Sequence, residues 1–154
     1  MPFFHMRDDF AFFRRFTPHI KGAIARKMKM KSLAKRYEFT QLRDRGRKQV
    51  TPFFILQAFD HQDERPARYG LTASKKIGNA VRRNKARRRL RALVHGQLEG
   101  AARTGFDYGL IARFDCPDAD FAKMEQVFVK AIAKLHHQFD HQQKEHKAEK
   151  GKIT

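Results

Sequence analysis

Eleven cations, Arg65, Arg68, Lys75, Lys76, Arg82, Arg83, Lys85, Arg87, Arg88, Arg89 and Arg91, lie between Glu64 and Glu99 with no carboxylate among them. Their chemistry is the binding of a polyanion. Bond cleavage by the chain itself would call for a cluster of carboxylates or a His/Lys acid-base pair beside these cations, and the basic segment contains neither. On a helix, the pairs Arg82/Lys85, Arg83/Arg87, Arg87/Arg91 and Arg88/Arg91 repel by roughly 0.2–0.5 kcal/mol each. A partner of opposite charge relieves that repulsion.

The elements that must position these cations are legible around them. Ser74-Lys75-Lys76-Ile77-Gly78-Asn79-Ala80-Val81 reads as a strand end, a glycine turn and an asparagine N-cap opening a helix. Arg82 and Arg83 then fall in the first turn, where the helix dipole disfavours cations and favours an incoming phosphate. Ala86, Leu90, Leu93 and Val94 form a narrow apolar stripe. The C-terminal half of this helix is therefore expected to dock on a core while its first half presents basic groups.

Composition sets the same direction. The chain carries 34 Lys+Arg against 16 Asp+Glu, a formal net charge of +18, which places it with nucleic-acid binders. No segment approaches the roughly 20 apolar residues that span a bilayer, and the basic helix lacks the wide apolar face of an interfacial anchor, so no membrane partner is expected. With 154 residues, 41% of them hydrophobic, the chain supports one domain with a real core. Cys116 is the single cysteine and belongs to no metal-spacing motif; a reducing, cytoplasmic setting is expected.

Residues 1–29 are rich in Phe and basic residues, but their phenylalanines scatter around a helical wheel, so a disordered or weakly helical extension is expected. A first helix follows Leu33, with Tyr37, Phe39 and Leu42 at helical spacing and Gly46 as its stop. Val50 to Phe59 reads as one strand, Arg68 to Ala73 as a second and Tyr108 to Phe114 as a third. The basic helix spans Asn79 to about Leu98. Past Pro117, Asp118 or Asp120 caps a last helix that places Phe121, Met124, Phe128, Ile132, Leu135 and Phe139 on its core face. Residues 140–154 read as a flexible His/Lys-rich tail. His137 and His141 stand one turn apart with only Asp140 near them, too few ligands for a metal site.

From Arg68 to Arg91, and above all over Ser74-Lys75-Lys76-Ile77-Gly78-Asn79-Ala80-Val81-Arg82-Arg83-Asn84-Lys85-Ala86-Arg87-Arg88-Arg89-Leu90-Arg91, the chain resembles the protein components of bacterial ribonuclease P. The likeness extends more weakly over residues 30–139. It implies one α+β domain in the order α-β-β-β-α-β-α, with a central, mainly antiparallel sheet and an unusual left-handed βαβ crossover around the basic helix; general rules favour the right-handed form. It also implies a subunit of an endoribonuclease that removes the 5′ leader of precursor tRNA. Catalysis and bound Mg²⁺ then belong to an RNA subunit, joined to the protein in a 1:1 complex.

In this resemblance Arg68, Lys75, Lys76, Arg83, Asn84, Lys85, Arg87, Arg88 and Arg91 match RNA-binding positions, and Phe39, Ile55 and Gln57 line the leader cleft. Lys85 replaces the second arginine of the family's Arg-Asn-Arg signature and gives up its bidentate fork. Arg43 and Gln57 stand where many members carry aromatics. Each lost stack is worth roughly 1–3 kcal/mol, which shifts leader binding toward charge and hydrogen bonding. Because the likeness begins near Met28 or Met30, residues 1–29 are expected to be a lineage-specific addition or the product of a wrongly chosen upstream start codon. A ribosomal or nucleoid-associated protein would share the charge but has no need of a leader cleft.

Overall fold

A computed structural model of the chain describes residues 30–152, so the expectation for residues 1–29 lies outside the described part. Five strands, β1 (Lys31–Ser32), β2 (Arg47–Val50), β3 (Phe54–Asp60), β4 (Arg68–Thr72) and β5 (Phe106–Ala112), form one sheet in the order β1-β4-β5-β3-β2. Helix α1 (Arg36–Arg45) precedes β2, α2 (Ala80–Leu93) joins β4 to β5, and α3 (Phe121–Lys152) follows β5. The β4 and β5 strands are adjacent and parallel, so with α2 they make a βαβ unit.

One sheet face carries the main core. Phe54, Leu56 and Ala58 of β3 and Tyr108, Leu110 and Ala112 of β5 point to the same side by strand alternation. They are buried there with Ala86, Leu90 and Leu93 of α2 and Met124, Phe128, Ile132 and Leu135 of α3. Both apolar stripes expected from sequence are thus the faces that pack. Asp120 Oδ1 accepts from the Ala122 N–H at 3.1 Å and caps α3. Cys116 is fully buried, and burial pushes its thiol up to about 11 against the pull of nearby Arg89.

The opposite face is built for close approach. Gly70 and Gly109 are register neighbours. A Cβ on Gly70 would stand 2.4 Å from Phe39 Cε1, and one on Gly109 would stand 2.4 Å from Leu42 Cδ2. The missing side chains let α1 lie across the sheet at this row. Glu38 fixes its start: Oε2 accepts from the Ala34 and Lys35 N–H groups at 3.1 and 3.0 Å, and Oε1 accepts from Arg68 Nη1 at 2.6 Å.

Several elements differ from the sequence expectation. The stretch expected as one strand from Val50 is a hairpin, β2 and β3, turned at Thr51, whose N–H donates to the Phe54 carbonyl at 3.0 Å. That hairpin supplies the third consecutive strand of the α-β-β-β-α-β-α order, and the two-residue β1 adds a strand in front. Within the sheet β2–β3 and β3–β5 are antiparallel and carry the larger share of the pairing, as expected, while β1–β4 and β4–β5 are parallel and make it mixed. The basic helix ends as α-helix at Leu93 and continues as a π turn over Val94–Leu98, which buries both Val94 and Leu98. Residues from Asp140 to Lys152 continue α3 with every residue exposed. Good helix formers and no proline carry the helix on, and Arg103 holds Asp140 through two bonds of 2.7 and 3.0 Å.

His136 ties α3 to the sheet. The Tyr108 hydroxyl accepts the Arg103 N–H at 3.0 Å and is hydrogen-bonded to His136 Nε2 at 2.8 Å, a contact in which a neutral imidazole can accept the hydroxyl proton. Burial, and then the charge of Arg103, lower its pKa from 6.5 to about 4 against the opposing pull of Asp140. Between those values the unfolded chain binds the proton and the folded chain does not, so stability falls as pH drops through this window. Urea midpoints at pH 7 and 4.5 are expected to differ more for the wild type than for His136→Gln; equal differences would show that the imidazole stays outside this linkage. Gly46→Ala forces a Cβ to 2.2 Å from the Leu42 carbonyl oxygen and 2.8 Å from that of Ala58. Backbone cannot step aside as the Leu42 side chain can, so Gly46→Ala is expected to cost the upper end of roughly 1–3 kcal/mol. Denaturation should rank it as more damaging than Gly109→Ala.

Candidate nucleic-acid interface

Asn79 opens α2 as the sequence indicated, its Oδ1 accepting the Arg82 N–H at 3.0 Å. Gly78 precedes it at φ +132°, a left-handed conformation that glycine adopts without strain. Lys75 and Lys76 lie exposed on the short 3₁₀ turn Lys75–Ile77 before it. The first turn of α2 contains no acidic residue.

The seven cations of α2 divide by direction. With about 100° per residue, Arg82 and Arg89 lie on one flank of the buried Ala86-Leu90-Leu93 stripe, seven positions apart. Arg82 Nη1 donates to Asp118 Oδ2 at 2.8 Å, Nε to the Ile77 carbonyl at 3.1 Å and Nη2 to the Phe114 carbonyl at 3.2 Å. Arg89 donates to the Ala119 carbonyl and sits over the Phe121 ring. These two charges are spent inside the fold: the sequence counted both among the polyanion-binding cations, although neither matched a family RNA position, and folding withdraws them from that set.

The assigned cations are placed differently. Arg88 and Arg91 are exposed and Lys85 is half-buried; among the described residues these three, with Lys75 and Lys76, have no carboxylate partner. Arg87 rests near the Ala73 carbonyl and donates to Asn84 Oδ1 at 3.4 Å, which orients the exposed asparagine. Arg83 is half-buried, with its Nε shielded from solvent and unpaired. Together they make a basic ridge running from the 3₁₀ turn along α2.

Arg68 does not belong to that ridge. Its Nε and Nη2 donate to Asp107 at 3.0 and 2.8 Å, and its Nη1 donates to Glu38. The hydrogen bond to Asp107, and that to Glu38, outweigh burial and raise its pKa further, so the guanidinium is permanently charged and neutralised from within. Glu38 is lowered from the usual carboxylate value: burial alone would raise it, and the Lys35, Arg68 and Ala34 donors overcome that. Arg68 therefore clamps α1 to the sheet. The sequence matched it to an RNA contact because its partners lie 30 and 39 residues away.

On the α1 face, register places Val50, Ile55, Ile111 and Thr72 in one row across four strands. Val50 is 59% exposed and Ile55 and Ile111 are half-buried, so this row remains open beside α1 as an apolar floor. Phe39 is half-buried over Gly70 at its edge. Gln57, only 7% exposed, lies one row deeper beside Gly109 and Leu42 and offers little surface to a strand. Sequence reading did not single out Val50, Ile111 and Thr72, because their membership depends on the hairpin register. The floor and the Lys75–Ile77 turn share one end of the sheet, since β4 finishes at Thr72 immediately before that turn.

No group of three or more His, Cys, Asp or Glu that could hold a metal ion occurs among the described residues, and none of their helices is long and apolar enough to cross a membrane. A family model described as Ribonuclease P matches residues 28–136. The chain belongs to the ribonuclease P protein family. It is 44% identical over 92 residues to the ribonuclease P protein component of Gluconacetobacter diazotrophicus, covering 60% of this chain and 79% of that one. Against that of Shouchella clausii it is 35% identical over 107 residues, covering 67% and 87%. The fold matches the RNase P protein of Staphylococcus aureus with a TM-score of 0.58 at 25% identity, over 70% of this chain and 98% of that one.

Family membership makes the division among arginines testable. Arg68→Ala is expected to leave Glu38 with only the Ala34 and Lys35 N–H donors and Asp107 with only His61 Nε2, and to cost on the order of 3 kcal/mol in urea unfolding, while leaving the salt dependence of RNA binding unchanged. A slope reduced by about one would instead place Arg68 on a phosphate.

Proposed function

We propose that this protein acts in ribonuclease P as the accessory subunit that holds the catalytic RNA with the α2 ridge and cradles the single-stranded 5′ leader of precursor tRNA. Membership of the ribonuclease P protein family supplies the activity, processing of tRNA at its 5′ end. The observation that carries the finer reading is the sorting of cations on α2: Arg82 and Arg89 turn to protein acceptors, Arg87 reaches the Ala73 carbonyl and Asn84, and Arg83, Lys85, Arg88 and Arg91 are left without carboxylate partners among the described residues. Folded RNA is gripped through phosphates by such side chains, and single strands by apolar and aromatic surfaces lining a basic cleft.

In this reading Arg83, Lys85, Arg88 and Arg91, with Lys75 and Lys76, contact phosphates of the RNA subunit. Asn84 and Arg87 act as a hydrogen-bonded pair at the same surface. The leader lies over Ile55 and Ile111 beside Phe39, where flat apolar surface accepts bases regardless of sequence. Near both surfaces the buried or paired carboxylates, Glu38, Asp107 and Asp118, are bonded to arginines and do not fit a cation site. We therefore assign Mg²⁺ to the RNA subunit, where it supplies the hydrolytic chemistry, and give the protein a binding role in a 1:1 complex in the cytoplasm.

Reconstitution with a candidate RNA subunit at low Mg²⁺ tests this. Affinity for precursor tRNA is expected to rise with leader length, and a complex indifferent to leader length would remove the cleft from the mechanism. Arg88→Ala is expected to weaken association with the RNA subunit and lower the salt slope by about one. Cleavage by the protein freed of RNA would overturn the accessory role.

A further inference from the structure

Phe114 is a large aromatic side chain that the fold leaves outside. It stands two residues past the end of β5 and is 63% exposed, while nearby Cys116 and Pro117 are buried. The Arg82 guanidinium lies 5.1 Å from the ring centroid. Arg82 is itself held by bonds to Ile77, Asp118 and the Phe114 carbonyl, which keep the cation beside the ring. Val81, 74% exposed, stands next to Arg82 in the first turn of α2. An apolar ring and an exposed valine thus sit at the N-terminal end of the ridge, on the flank opposite Arg83 and Arg87.

We propose that Phe114, backed by Arg82, is a stacking platform for one unpaired nucleobase of the RNA whose phosphates follow α2. This inference rests on the RNA-binding role given above and adds a contact of a different kind. Phosphate contacts alone fix a backbone and are indifferent to the state of the bases; a ring beside them requires a base swung out of its helix. Every base has a π face, and an adjacent arginine adds a cation–π contribution, so the platform selects for an unstacked base without selecting its identity. The positive ridge beside it favours RNA over an apolar peptide, since a peptide covering Phe114 and Val81 would leave the neighbouring cations unmatched.

The full chain with Phe114 changed to Ala, Leu or Tyr, titrated with the RNA subunit over a range of salt, tests the platform. Phe114→Ala is expected to weaken binding roughly five- to 100-fold with the salt slope unchanged, because a stack and not a phosphate contact is lost. Phe114→Tyr should bind as the wild type and Phe114→Leu as the alanine variant, with all three folding as judged by urea midpoints. Wild-type affinity in Phe114→Ala, or in Phe114→Leu, would overturn stacking, the latter pointing to a generic apolar contact such as a peptide would make. If Phe114→Ala binds normally while Arg88→Ala still lowers the slope, only the platform fails. A wild type with no preference for the RNA subunit over arbitrary RNA overturns both proposals.

Discussion

Repulsion among like charges on α2 is the constraint around which the molecule is arranged. Seven cations occupy fourteen residues with no acid among them. Six pairs three or four residues apart, including Lys85/Arg88 and Lys85/Arg89, at roughly 0.2–0.5 kcal/mol each, with the unfavourable dipole at the first turn, oppose the helix by a few kcal/mol at most. Burial decides the contest. Leu90, Leu93 and Val94 are fully buried, and each contributes roughly 1.5–3 kcal/mol. Tertiary packing therefore maintains a helix whose surface is electrostatically poor, and a surface that is poor for the free chain is well matched to a phosphate backbone.

Packing also determines which cations remain available. The stripe that docks on the sheet brings its two flanks close to other elements. On one flank Asp118, the Ala119 carbonyl and the rings of Phe114 and Phe121 receive Arg82 and Arg89. On the other, Arg87 reaches the Ala73 carbonyl at the end of β4. Only the positions pointing away from the sheet keep their charge wholly for a partner. Selecting for a ridge thus comes down to rotation about one helix axis, fixed by three apolar residues.

Local signals made the ridge, its asparagine cap and the apolar face of α3 legible in the sequence, since each depends on residues within a turn or two of one another. Contacts across long separations were not. Arg68 looks like its basic neighbours until Glu38 and Asp107 are brought to it by folding. The hairpin at Thr51 was hidden because Val50-Thr51-Pro52-Phe53-Phe54 is β-branched and aromatic on both sides of the turn, and hydrophobicity alone does not mark where a strand reverses. Gln57 shares a strand face with Ile55 as alternation requires, yet one row of register separates an open floor from a place beneath α1. The C-terminal stretch was read as a tail from its polarity, but helix propensity continues where burial stops.

The two faces of the sheet meet functionally because β4 and β5 run in the same direction. Both finish at the end where the 3₁₀ turn Lys75–Ile77 begins, so the apolar floor on the α1 side and the start of the basic ridge on the α2 side share a rim. The glycine row, next to the floor, holds α1 down on the sheet, while the Arg68 clamp fixes its N-terminal end one row further from the floor. Were α1 to sit one row closer to that rim, it would cover Ile55 and Ile111 and close the floor. In the proposed function, a cation neutralised within the fold serves nucleic-acid binding alongside the cations left outside, since it holds α1 where the apolar surface stays open beside them.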